Sequence, residues 1–302
     1  MRKYIIILAL FATLLPVSGE YKTLNDLPYY DADFPRRGDA AYIAERCKLD
    51  LYYPEHRKGF STVVVFHGGG LIRGGKNLYP ALLTRGFAVA AVNYRFSGKQ
   101  AQCPDYIYDA AAAVAWVMKH IAEYGGDPKM VFVAGHSAWG YLTAMVALDP
   151  RYLGEFGFKP SQLAGAFASS GQMTTHDQIL REYRRQGKKV PQVVIDEYAP
   201  LSYIDKDAPP LIFSVGDDAT EVPGRVGENK MLHSLLVAKG HPNCQFFQYP
   251  GFPHGQAWHP AMQKLWMWIQ AAERSAKRRA EHRAKKAEKQ KVEKPQHQES
   301  AR

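Results

Sequence analysis

Two hydrophobic periods alternate along the chain. Continuous apolar runs of strand length occupy residues 62–66, 87–92, 131–134 and 211–215. Runs of that kind belong to strands covered on both faces. Weaker strand patterns follow at 163–169 and 244–249. Between these runs, apolar residues recur at helical spacing over 78–85, 107–124, the segment after Ser137, 229–239, and from about Pro260. The second of these helices has Asp105 and Asp109 near its start, where negative charge suits the helix dipole, and Gly125-Gly126-Asp127-Pro128 stops it. Strands alternating with helices predict an α/β fold: a mostly parallel central sheet, right-handed crossovers and helices on both faces. Residues 41–53 alternate apolar and polar and predict an antiparallel edge hairpin, with polar residues 20–40 as an irregular lead-in.

The pattern breaks in three places. Arg2 and Lys3 precede an apolar run at 5–15, and Pro16-Val17-Ser18-Gly19 offers small residues at cleavage-site spacing. The run falls short of the about 20 apolar residues a bilayer span needs. Residues 1–19 therefore read as a signal peptide, and the expectation is export, to a secreted or periplasmic location. Residues 171–199 turn polar and basic, with Arg181, Arg184, Arg185, Lys188 and Lys189, where a cap insertion or a solvated surface helix fits. Beyond Ala272 apolar periodicity ends. The basic low-complexity tail, 273–302, is expected to be a solvated helix extension or disordered. One folded domain, 20–272, lies between the two ends.

Charge sharpens that division. The formal net charge is +10, but the tail holds 11 Lys/Arg against 5 Asp/Glu. The folded part is near neutral, which argues against a nucleic-acid-binding core. The tail is either a solubilising extension or a contact for an anionic surface. The three cysteines, Cys47, Cys103 and Cys244, cannot all pair and have no metal-ligand spacing. They are expected to be buried free thiols, and no metal or cofactor is implied.

The candidate chemistry sits at the carboxyl ends of the apolar runs. Val131-Phe132-Val133-Ala134 ends in Gly135-His136-Ser137-Ala138, and an Ala-rich apolar segment follows. Strand, sharp turn and helix with a serine at the apex describe a nucleophile elbow, with Ser137 as nucleophile and the Ala138 amide facing an oxyanion. The position two after the serine, often glycine, is Trp139, and the glycine arrives one residue later at Gly140. An indole there needs either a wider helix–strand gap or an outlet into the pocket. The run at 62–66 ends in His67-Gly68-Gly69-Gly70, a loop whose Gly68 or Gly69 amide would supply a second oxyanion donor. A serine hydroxyl needs an imidazole to take its proton, and the imidazole needs a carboxylate to fix its tautomer. His254 follows the last strand and is the base, with His259 as fallback; His136 should point away from the serine. Asp218 is the favoured acid, Glu221 the second choice, and Asp217 lies on the same loop. Trp139 and His67 are candidate substrate contacts.

Several strings together resemble one family. These are His67-Gly68-Gly69-Gly70, Val92-Asn93-Tyr94-Arg95, residues 109–116, Tyr124-Gly125-Gly126-Asp127-Pro128, Gly135-His136-Ser137-Ala138, Ala147-Leu148-Asp149-Pro150 and Pro209-Pro210-Leu211. They resemble the esterase branch of the α/β-hydrolases, which includes hormone-sensitive-lipase-like carboxylesterases, acetyl xylan and feruloyl esterases and kynurenine-formamidase-like enzymes. The similarity runs over about residues 48–268. It implies hydrolysis of a small or polysaccharide-linked carboxylic ester through an acyl-serine intermediate, without metal or cofactor. The family places its acid three residues after the glycine of the acid loop, where this chain has Ala219. Two other readings stay open: an aryl formamidase or peptidase on the same fold, and a catalytically weak binding protein with Trp139 filling the pocket.

Overall fold

Val63 and Val65 face one side of the central sheet, and Val64 and Phe66 the other; both sides are buried. That is why the run reads as apolar throughout. The computed structural model describes residues 20–292. The signal-peptide reading, 1–19, and the end of the tail lie outside them.

The strands are β1 (Tyr21–Pro28), β2 (Lys48–Pro54), β3 (Phe60–Phe66), β4 (Ala88–Val92), β5 (Gly126–His136), β6 (Gly165–Ser169), β7 (Leu211–Val215) and β8 (Cys244–Gln248). The helices are α1 (Ala40–Arg46), α2 (Asp105–His120), α3 (Ala138–Leu148), α4 (Pro150–Gly154), α5 (Asp177–Arg185), α6 (Arg225–Ala238) and α7 (Trp258–Val292). The eight strands form one sheet in the order β1-β2-β4-β3-β5-β6-β7-β8. β3 to β8 run parallel to one another, and β2 pairs antiparallel with both β1 and β4. α2 and α3 cover one face, and Leu265 and Ile269 of α7 seal the other against β3, β4 and β5.

The antiparallel edge is present, but its parts differ from the expectation. The partner of β2 is β1, within the stretch read as an irregular lead-in, and residues 40–46 form a helix capped by the Asp39 carboxylate. β1 pairs Tyr21 with Pro54 and Leu24 with Leu51, then shifts register before Leu27. This bulge and the polar outer face hide the period-2 signal. Residues 78–85 hold only a short 3-10 turn, Pro80–Leu82.

The other expected elements lie close to their predicted places. α2 ends through a further 3-10 turn at Gly125, whose φ of 95° suits glycine. α7 continues into the basic tail as an exposed helix. Among the described residues no helix is long and apolar enough to cross a membrane. Cys47, Cys103 and Cys244 are unpaired; Cys47 is buried and the other two are half-buried.

A buried ion pair ties the β4 exit to α2. The Arg95 guanidinium donates from Nε and Nη2 to the two oxygens of Asp109, each at 2.8 Å. The Arg95 amide (3.0 Å) and the Tyr30 hydroxyl (2.7 Å) complete the carboxylate's partners. Neither charged side chain is exposed. The strings Asn93-Tyr94-Arg95 and Asp109 thus serve the frame that holds the rim.

Candidate active site

β5 ends and α3 begins at Ser137, whose φ of 64° lies in the left-handed region. A non-glycine residue is held there only by surrounding structure. Its amide donates to the Ser169 carbonyl at 2.9 Å, which fixes the turn to the end of β6.

The elbow explains Trp139. A Cβ on Gly135 would lie 2.3 Å from the Cβ of Trp139, so these two positions press on each other and Gly135 is the one that must lack a side chain. Close approach of α3 to the sheet falls to Gly140, where a Cβ would meet the Ser169 carbonyl oxygen at 2.5 Å and the Gly171 Cα at 2.7 Å. The indole packs among aromatic rings. It is 2% exposed and meets His67 and Tyr79 edge-on, at ring-centroid distances of 5.4 and 6.3 Å. His67 in turn stacks on Tyr94 at 4.6 Å, its Nδ1 lies 3.1 Å from the Gly68 carbonyl oxygen, and burial pushes its pKa down to about 4. Trp139 and His67 therefore pack beneath the glycine loop as a neutral aromatic cluster. Both side chains were expected to contact substrate, and here they keep almost no exposed surface.

The rim brings three separate segments together. His254 Nε2 lies 2.9 Å from Ser137 Oγ. On the other side of the ring, Nδ1 makes a short hydrogen bond with Glu221 Oε1. Asp218, the favoured acid, is exposed, and the Nδ1 partner is Glu221 instead. Asp217 accepts from the amides of Gly251 (2.7 Å) and Ala219 (2.9 Å), so it pins the acid loop to the histidine loop. His259 is exposed and not part of the line. The choice among three neighbouring carboxylates is thus corrected to Glu221, because only its side chain turns inward.

Glu221 is held by more than the histidine. Its oxygens also accept from Ser170 Oγ at 2.7 Å, the Gly216 amide at 3.0 Å and the Val222 amide at 2.8 Å. Burial pushes its pKa up, but the bonds from His254, Ser170 and the two amides outweigh burial and hold it down to about 2. The carboxylate is therefore ionised at neutral pH, and Nδ1 of His254 must be the protonated nitrogen. Nε2 is then free to accept a proton from Ser137.

Ser170 was missed from the sequence. Like Ser137 it is a non-glycine residue at positive φ, 46°, and its amide donates to the Ser214 carbonyl at 2.6 Å. Only the pairing of β6 with β7 brings it to the acid loop. The His136 ring lies 4.7 Å from that of His254 and 6.1 Å from that of Trp258. Burial and the neighbouring His254 push its pKa down to about 3, so it is neutral.

The glycine loop lies on the same rim. Gly69 has φ 123°, and a Cβ there would strike the Arg73 carbonyl oxygen at 2.1 Å. Gly68 is half-buried, and a Cβ on it would meet nothing within 4 Å, so its surface faces open space. Ala138 is the first residue of α3, and its amide has no intrahelical acceptor.

A strand–elbow–helix serine, a histidine after the last strand and an acid after the strand before it define the α/β-hydrolase fold, and this chain has it. A family model described as BD-FAE matches residues 49–154. The chain is 33% identical over 215 residues to the probable carboxylic ester hydrolase LipM of Mycobacterium tuberculosis, covering 63% of this chain and 50% of that protein. It is 28% identical over 222 residues to the probable isoprenylcysteine alpha-carbonyl methylesterase ICMEL1 of Arabidopsis thaliana, covering 65% of this chain and 46% of that one. The chain thus spans about half the length of the curated relatives it matches. Among solved structures it is similar to a truncated form of a carbohydrate esterase from gut microbiota, with a TM-score of 0.64, 17% identity, and coverage of 85% of this chain and 98% of that one.

Proposed function

We propose that the protein is a serine carboxylesterase that cleaves small carboxylic esters through an acyl-serine intermediate. The observation that carries this is the line from Ser137 Oγ to His254 Nε2 at 2.9 Å, continued from Nδ1 to the Glu221 carboxylate. His254 takes the serine proton as Oγ attacks the ester carbonyl, and Glu221 offsets the charge that appears on the ring. The protonated imidazole then gives that proton to the departing alcohol. Water, deprotonated by the same nitrogen, releases the acid and restores the serine. The amides of Gly68, Gly69 and Ala138 are assigned to the developing oxyanion.

The proposed acyl groups are acetyl and feruloyl, carried on a polysaccharide or a small alcohol. The BD-FAE match and the carbohydrate esterase neighbour support that choice. The unbroken line from Ser137 through His254 to Glu221 supports catalysis over a binding-only role. Export is proposed from residues 1–19 alone; an amino terminus beginning at Glu20 in the mature protein tests it.

Ser137→Ala tests the activity. Turnover of p-nitrophenyl acetate is expected to fall roughly 10⁴-fold or more while the fold is kept. Retained turnover by the alanine variant would remove Ser137 as nucleophile.

A further inference from the structure

Four arginines of the folded domain pair with a carboxylate: Arg37 with Glu155, Arg57 with Glu273, Arg95 with Asp109, and Arg151 with Asp149 and Glu197. α5 gathers three that do not. Arg181, Arg184 and Arg185 lie at i, i+3 and i+4 and are exposed, so they share one face of the helix. Among the described residues none of the three is within ion-pair distance of an acid; Arg184 bonds only the Pro191 carbonyl, at 3.1 Å. Lys188 and Lys189 extend the same charge past the helix end.

These three arginines line one wall of a groove of about 450 Å³. Ile72, two residues beyond the glycine loop and 46% exposed, lines another part. The groove is built rather than incidental. Ser97 and Gln178 lie on it, with Gln178 Nε2 donating to Ser97 Oγ at 2.9 Å. Ser97 also bonds the buried Glu182, and its amide donates to the Leu71 carbonyl at 2.8 Å. The network thus ties α5 to the glycine loop. The Glu182 carboxylate is buried and bonds Ser97 and the Cys103 amide rather than the arginines.

Between α5 and the acid loop lie a neutral histidine and one further arginine. His176, the N-cap of α5, packs on Tyr141 of α3 at 5.1 Å. Burial, with Arg225 and Arg181 close by, pushes its pKa down to about 3. Arg225 begins α6, four residues after Glu221. It is 8% exposed, and its Nη1 has no hydrogen-bond partner among the described residues. Basic residues in a last helical turn suit the helix dipole by themselves. That does not explain Arg181, nor a buried guanidinium nitrogen without a partner.

Resting on the esterase reading, we propose that the α5 groove holds an acidic polysaccharide. Carboxylates of uronate-type sugars would pair with Arg181, Arg184 and Arg185 while the ester on the same chain reaches Ser137. Guanidinium groups match carboxylates in a two-pronged geometry, and Ile72 gives the apolar face of a sugar ring a surface to rest on. A carbohydrate is favoured over other anions because the ester chemistry proposed for the site is carried on carbohydrate.

The test separates binding from hydrolysis. Oligogalacturonate binding to the Ser137→Ala protein is measured by calorimetry, beside the variant that also carries R181Q and R185Q. Glutamine keeps the helix propensity at both exposed positions, and a thermal melt checks the fold. The expected result is binding that R181Q/R185Q weakens roughly tenfold and R181K/R185K partly restores. Raising the salt concentration should weaken the parent and leave the glutamine variant little changed. On the unmutated protein, deacetylation of an acetylated polyuronate should exceed that of an acetylated neutral xylan. No oligogalacturonate binding, or equal binding to the glutamine variant, overturns the proposal. Anionic phospholipid vesicles or DNA binding as tightly as the oligosaccharide overturns the carbohydrate assignment. Absent p-nitrophenyl acetate turnover would instead remove the esterase reading, and the binding result would stand apart from it.

Discussion

Two buried carboxylates in this molecule each accept four hydrogen bonds, and they do opposite things. Asp109 accepts from Tyr30, from the Arg95 amide, and twice from the Arg95 guanidinium. Glu221 accepts from Ser170, from the Gly216 and Val222 amides, and from His254. Both are satisfied, so neither is a defect of the core. The difference is the cation. Arg95 is permanently charged and fully buried, and its pairing closes a structural joint. His254 is a quarter exposed in its side chain, can gain and lose a proton, and presents its second nitrogen to Ser137. Full satisfaction therefore does not separate frame from site. A partner that can change protonation and faces outward does.

The strongest way to break the comparison is Glu221→Gln. The amide can hold the ring in place but not the correct tautomer, and turnover of p-nitrophenyl acetate is expected to fall roughly 10⁴-fold in protein that still folds. Asp109→Asn should do the reverse. It leaves the buried Arg95 charge with only the more distant Asp105, 3.8 Å away, so denaturant unfolding should show a loss of about 3–5 kcal/mol while the folded fraction keeps its turnover. If Asp109→Asn instead cost activity and not stability, the division between frame and site would be wrong.

Acid sharpens the same contrast. The folded pKa of Glu221, about 2, lies below its ordinary value of 4.5. Its contribution is therefore present above about pH 4.5 and is lost as the pH falls towards 2. The size is roughly 3 kcal/mol. Urea unfolding between these limits should show a smaller loss in Glu221→Gln than in the parent. The smallest effect is expected of Asp218→Ala. That side chain is exposed and outside the triad line, so turnover should stay within about twofold and stability within about 0.5 kcal/mol. A large loss of turnover there would return the acid role to Asp218.

Much of this was legible in advance where one physical cause dominates. The run at 62–66 is apolar throughout because both faces of β3 are covered, and the Gly-His-Ser string marks a turn that the backbone must make sharply. β1 was not legible, because an edge strand with a polar outer face and a bulge loses its alternation. α1 was read as strand because its seven residues are too few for the helical period to separate from alternation. The acid was unreadable for another reason. Asp217, Asp218 and Glu221 share one loop, and sequence carries no information on which side chain turns inward.

The sequence by itself determined the order of strands and helices, the serine, the histidine and the glycine loop, because local backbone demands and burial on two faces leave their mark on neighbouring residues. Only the tertiary structure decided that Glu221 rather than Asp218 meets the imidazole and that Ser170 holds it there. It also decided that Gly140 does the close packing while Trp139 lies beneath the loop. Those choices depend on distances between strands that are remote in the chain, and no local pattern records them.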